Sequence, residues 1–124
     1  MALECLKSVP AAAVGLFRAA LEVEINSLVN QYEASSKGKG ISALRRQGLG
    51  ERISDLIERL RSKGILGDED LEDFEACCAL IRLEGNRILR PRGGLPRTDA
   101  QLVAALSHSF RRMAEISTRA KEAL

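Results

Sequence analysis

Between Pro10 and Tyr32 the apolar side chains Val14, Phe17, Leu21, Ile25, Leu28 and Tyr32 recur at steps of three and four residues. A half-buried strand would repeat every second residue, so this spacing predicts a helix with one apolar stripe. Ser8 can cap its first amides, and Pro10, with no N–H to leave unpaired, suits its first turn. A second stripe, Leu49, Ile53, Leu56, Ile57 and Leu60, predicts a helix from about Leu49 to Lys63, with Gly64 free to adopt the left-handed stop.

The third stripe is Leu71, Phe74, Cys78, Ile81, Gly85 and Ile88. Asp68 is the expected cap, the acids at 69, 70, 72 and 73 favour the positive end of the helix dipole, and Pro91 ends the element. A fourth helix is expected from Thr98, which with Gln101 has capping-box spacing, turning Leu102, Leu106, Phe110, Met113 and Ile116 inward and running nearly to Leu124. Around Ser35-Ser36-Lys37-Gly38-Lys39-Gly40 the residues are too small and too charged to bury much surface, which predicts a flexible loop over about residues 34–48. With no alternating strand pattern and no repeat, the expectation is an all-α, four-helix up-and-down bundle, one domain over residues 1–124.

Composition narrows the function classes. A chain of 124 residues with 45% apolar content supports one core, and with 3% aromatic residues and no Trp that core is aliphatic. A stacking platform for bases is therefore not expected. The formal charge of +2 decides nothing as a total, but its distribution is uneven. Asp68, Glu69, Asp70, Glu72, Asp73 and Glu75 form an acidic stretch, and Arg82, Arg87, Arg90, Arg92 and Arg97 follow it. Cys5, Cys77 and Cys78 have no CxxC spacing and there is one histidine, so neither a metal site nor a cofactor is expected. The acidic setting of Cys77 and Cys78 also argues against a redox site. Residues 1–9 lack the pattern of a secretory leader and no apolar run is long enough to cross a bilayer, so the expected location is cytoplasmic, without a membrane partner.

The segment Ile81-Arg82-Leu83-Glu84-Gly85-Asn86-Arg87-Ile88-Leu89-Arg90 carries the candidate chemistry. A glycine inside a helix costs roughly 1 kcal/mol relative to alanine, a cost that close approach of another backbone to Gly85 would offset. Arg82, Asn86 and Arg90 follow at steps of four and form a polar ridge beside the stripe. Guanidinium forks match phosphate oxygens, so the ridge, extended by Arg87 and Arg92, can contact an anion; it can equally be a solvated helix face. Arg18 and Glu22 are one turn apart, either an ordinary surface pair or a partly buried one that meets the third helix. Lys37-Gly38-Lys39-Gly40 lacks the order of a phosphate loop and reads as a basic loop.

The blocks Leu16-Phe17-Arg18-Ala19-Ala20-Leu21-Glu22 and Ile81-Arg82-Leu83-Glu84-Gly85-Asn86 resemble the RxxLE and RxxGN signatures of bacterial HEPN-like domains of host-defence and restriction-associated proteins. The stretch Leu49 to Leu66, ending in Lys63-Gly64-Ile65-Leu66, is similar to the middle helix and turn of that family, and the likeness covers residues 10 to 117, roughly. The resemblance implies a helical bundle that forms a homodimer, with the arginine motifs of both subunits lining one cleft, and with RNA cut in active members by an Arg and a downstream His. Arg82 and Asn86 match that motif, while Arg90 stands at the histidine position. Arginine, with a pKa above about 12, cannot serve as a general base near neutral pH, so no catalytic residue is assigned and the site reads as degenerate. The only histidine, His108, falls on the fourth helix outside the motif, where it is expected as a surface or boundary residue, the alternative being that it faces the ridge from a neighbouring helix or subunit.

Three functions follow. The first is a non-catalytic or weakly catalytic RNA- or nucleotide-binding module in a bacterial defence or toxin–antitoxin setting, with Arg82, Asn86, Arg87, Arg90 and Arg92 as anion contacts and Arg18, Glu22 and Gly85 as structural residues. The alternative is a protein-interaction or dimerisation module without a nucleic-acid ligand. The third is a metal-independent ribonuclease.

Overall fold

The computed structural model describes residues 2–35, 48–89 and 100–124, with side chains described from residue 13 onward except at 87–89. Four helices account for nearly all of them: α1 (Ala2–Ser35), α2 (Leu49–Ser62), α3 (Asp68–Leu89) and α4 (Ala100–Ala123). Among the described residues there is no strand, and the fold is an all-α four-helix bundle.

α1 begins at Ala2 and passes through Pro10, rather than starting near it with Ser8 as cap. Ala2, Leu3, Glu4, Leu6 and Lys7 are all strong helix formers, and a proline forfeits a single i−4 bond there. α2 starts on Gly48, whose extended backbone (φ −62°, ψ 162°) lets its carbonyl accept from Arg52 N–H at 2.9 Å. It stops as anticipated at Gly64, φ 64°, where Ile65 N–H donates to the Leu60 carbonyl and Gly64 N–H to that of Arg61. The cap of α3 is Gly67, whose carbonyl accepts from Leu71 N–H at 3.1 Å, which makes Asp68 the first helical residue instead of the cap. α3 then runs unbroken through Gly85 to Leu89. Ala34 and Ser35, placed in the expected loop, belong to α1; the rest of that loop up to residue 47, and Arg90, Arg92, Pro91 and Thr98, lie outside the described residues.

α1, α3 and α4 pack against one another, and α2 lies on α3 with a lighter contact to α1. Pairs of neighbours fix the directions. Phe17 meets Phe110 at 6.0 Å between ring centres and Glu24 meets Ser117, so α1 and α4 run parallel. Asp70 reaches Arg119 while Asp73 reaches Arg112, so α3 opposes α4; Arg61 near Asp68 and Gly50 near Arg82 show that α2 also opposes α3. The alternation expected of an up-and-down bundle therefore holds from α2 to α4, whereas α1 and α2 point the same way.

The buried stripe residues of all four helices form one core, including Val14, Leu21, Ile25 and Leu28 of α1, Leu56 and Leu60 of α2, Phe74 and Ile81 of α3, and Leu106 and Met113 of α4. Polar contacts fasten α4 to both neighbours. Arg112 bridges Asp70 at 3.1 Å and Asp73 at 3.0 Å, and Arg119 also holds Asp70. The acidic start of α3 thus binds α4 as well as favouring its own dipole. On the other side, buried Ser117 donates to Glu24 Oε1 at 2.7 Å, and Lys121 Nζ donates to the same oxygen and to Ser27 Oγ, each at 2.9 Å.

Partial burial by itself would raise the Glu24 carboxyl, but the hydrogen bonds from Lys121 and Ser117 and the Lys121 charge outweigh it and hold the pKa below the ordinary value. A pKa depressed by folding contributes stability that is present above the unfolded value and lost as pH falls through the folded one. Glu24→Gln is expected to flatten the acid limb of the stability–pH curve, and Glu24→Ala to cost about 1–3 kcal/mol at pH 7 by stranding Ser117 and Lys121. Urea unfolding at several pH values checks both.

Candidate functional site

The site is built where α1, α2 and α3 meet. Gly85 is buried on α3, and a methyl group added there would stand 2.7 Å from Cβ and Cδ of Arg18 and 2.9 Å from its Cγ. The stem of Arg18 therefore occupies the space that any other residue at 85 would fill. Sequence reasoning anticipated close approach of a backbone at Gly85; what lies against it is the side chain of Arg18.

Held in this slot, Arg18 donates from Nε to Asn86 Oδ1 at 3.1 Å and stands 3.8 Å from Glu22 Oε2. The Arg18–Glu22 pair is half-exposed and does meet α3, which settles the two alternatives left open by its spacing. Asn86, expected as an anion contact, uses its carbonyl oxygen to position Arg18, leaving its NH2 group as the end suited to an anion.

Arg82 lies one turn before Asn86 and reaches α2. Its guanidinium passes over Gly50, where an added Cβ would sit 3.2 Å from Cζ and Nη1. The first intrahelical bond of α2 belongs to Arg52 N–H, so the amides of residues 49–51 have no partner within the helix, and Gly48 supplies no side-chain cap. Glu51, the acid of that first turn, is exposed, and among the described residues no carboxylate pairs with Arg82. A third guanidinium, Arg52, donates from Nη1 to Asn26 Oδ1 and lines a cavity of about 320 Å³ with Glu22, Asn26, Val29 and Asn30. The junction thus gathers Arg82 over the first turn of α2, Arg52 with Asn26 and Glu22 around one cavity, and Arg18 between Glu22 and Asn86.

The ridge on α3 is accordingly split between neighbours, Arg82 facing α2 and Asn86 facing α1. Arg87 is helical with its side chain outside the described residues, as are Arg90 and Arg92 altogether. His108 is exposed on α4, whose main packing partners are α1 and α3 rather than α2. Sequence reading missed Arg52, Asn26 and Gly50. The signal available was a glycine in the first turn of a helix, where nothing local requires one.

Among the described residues no group of His, Cys, Asp and Glu is placed to share a metal ion, and no helix is long and apolar enough to cross a membrane. Burial, then the Asp73 charge, pushes the Cys77 thiol up, and burial does the same more strongly to Cys78, so both are poor nucleophiles at neutral pH.

The two close-approach glycines differ in what they touch. At Gly85 the opposing Cβ is fixed to the α1 backbone, so Gly85→Ala must part the helices; the strain exceeds the propensity gain and a net loss of about 1–2 kcal/mol is expected. Gly15→Ala, with open space around the added methyl, should stabilise by about 0.5–1 kcal/mol. At Gly50 the neighbour is the far end of a flexible side chain, so Gly50→Ala should leave the melting temperature nearly unchanged while displacing Arg82. Thermal unfolding of the three variants separates these outcomes; equal effects at 15 and 85 would contradict the packing described.

No family model, curated protein or solved structure matches the chain.

Proposed function

We propose that the chain binds phosphate groups of RNA or of a nucleotide at the α1–α2–α3 junction, without cutting them, as an HEPN-like module of a bacterial defence or toxin–antitoxin system that acts as a homodimer. The observation that carries the reading is the Arg82 guanidinium set over the first turn of α2. A cation beside the positive end of a helix is unfavourable by about 0.3–1 kcal/mol, and an anion between the two reverses the sign of both interactions. Phosphate suits the place because guanidinium forks and the first-turn amides of a helix both donate to its oxygens.

Cleavage is not part of the proposal. Metal-independent hydrolysis of RNA needs a group that can take a proton near neutral pH, which no arginine can do. His108 is exposed on α4, which is not one of the three helices that build the junction.

Fluorescence anisotropy with a labelled single-stranded RNA and with a labelled nucleotide tests the reading. Binding should weaken steeply with salt, and Arg82→Ala should weaken it by about tenfold and lower the salt slope by about one, while Arg111→Ala on the exposed side of α4 does much less. Gly50→Ala should reduce binding in the same direction as Arg82→Ala. Absent binding, or equal losses at Arg82 and Arg111, would contradict it.

A further inference from the structure

α1 reverses the usual distribution of charge on a surface helix. Between residues 13 and 35 its charged residues, Arg18, Glu22, Glu24 and Glu33, are all half-buried, whereas its exposed residues include no Lys, Arg, Asp or Glu. The other helices follow the ordinary rule, with Glu51 and Glu58, Glu69 and Glu72, and Arg111 and Glu115 among their exposed positions. In a chain with 29% charged residues, an uncharged outward face over several turns is unusual, and it holds two of the most exposed large apolar side chains, Leu16 at 70% and Val23 at 69%.

The exposed positions Leu16, Ala19, Val23, Asn26 and Asn30 follow at steps of three, four, three and four. That is the a/d spacing of a helix pair, here on the side of α1 opposite its buried stripe. A shallow groove of about 510 Å³ lined by Val23, Asn26, Ser27, Asn30 and Gln31 runs along the same face. The stripe offers no cation to a nucleic acid, and its asparagines make it a poor seat on lipid. A second copy of α1 suits it, since like faces meet with no charge to desolvate or repel, and Ala19 allows close approach.

We propose that this face pairs with the same face of a second chain, α1 against α1, parallel and in register. The pattern selects the direction. In register, Leu16 meets Leu16, Val23 meets Val23, and Asn26 and Asn30 each meet their own counterparts, polar against polar. Antiparallel pairing about Val23 would set Leu16 against Asn30 and bury an amide on an aliphatic chain. Asn26 and Asn30 also line the cavity at Arg52, so the second chain runs along its rim and brings two junctions to either side of one helix pair. The inference names the surface for the homodimer proposed above and is independent of the phosphate ligand.

Sedimentation velocity of the whole chain tests it, from below 1 µM to about 100 µM, a range that brackets the affinities of modest interfaces. A monomer–dimer equilibrium is expected, with Val23→Glu raising its Kd about tenfold or more and Ala104→Glu on α4 leaving it unchanged. Circular dichroism should show both variants folded, since both positions are exposed. In a Cys5→Ser background, Leu16→Cys should cross-link the dimer on mild oxidation, while parent Cys5→Ser should not. A chain that stays monomeric throughout, a dimer indifferent to Val23→Glu, or a dimer that Leu16→Cys fails to cross-link would overturn the proposal. RNA binding retained by a monomeric Val23→Glu variant would separate its fate from that of the phosphate site.

Discussion

The distance between α1 and α3 at Gly85 is the constraint from which the rest of the junction follows. The stem of Arg18 fills the space of the missing side chain, so the two helices approach more closely than any residue with a Cβ would allow. Close approach lays Arg18 along α3, where Asn86 and Glu22 fix its head. The glycine costs about 1 kcal/mol in helix propensity and is offset by that packing. A side chain at position 85 would lever apart the same two helices on which Arg82, Asn86, Glu22 and Asn26 are mounted.

Charge divides the molecule along this pair of helices. On the α4 side the carboxylates of Glu24, Asp70 and Asp73 are answered by Lys121, Arg112 and Arg119. On the α2 side, Arg82 lies over the first turn of a helix whose N-terminus is itself electropositive, Arg52 follows on α2, and Arg18 is held beside Asn86 on α3. A near-neutral net charge conceals this division. The first side holds the bundle together, and the second retains potential for an anion. α1 serves both seams with its half-buried charges and leaves its outward face uncharged.

Periodicity made the four helices and most of the core legible, because burial on a helix repeats as its turns do. Val14 through Tyr32 and Leu49 through Leu60 lie where their spacing places them. The start of α1 was misread because Ser8 and Pro10 form a good local start signal, yet the residues before them favour helix as strongly. The shared direction of α1 and α2 is invisible to periodicity, which fixes faces but not the directions of helices. At the junction, Arg82, Asn86, Arg18 and Gly85 were visible through their spacing. Arg52 and Asn26 were not, since their pairing spans two helices and leaves no mark at any fixed interval.

The most direct measurement of the central claim is an NMR titration of the isotopically labelled chain with short RNA and with a nucleotide, following backbone amides and arginine Nε–H groups together. An anion at the junction should move the amides of Leu49, Gly50 and Glu51 and the Nε–H of Arg82 in one saturating transition, with α4 signals such as those of Arg112 and Arg119 nearly still. Saturable shifts centred on α4, or none at residues 49–51 while RNA binds, would contradict the assignment of this junction as the phosphate site.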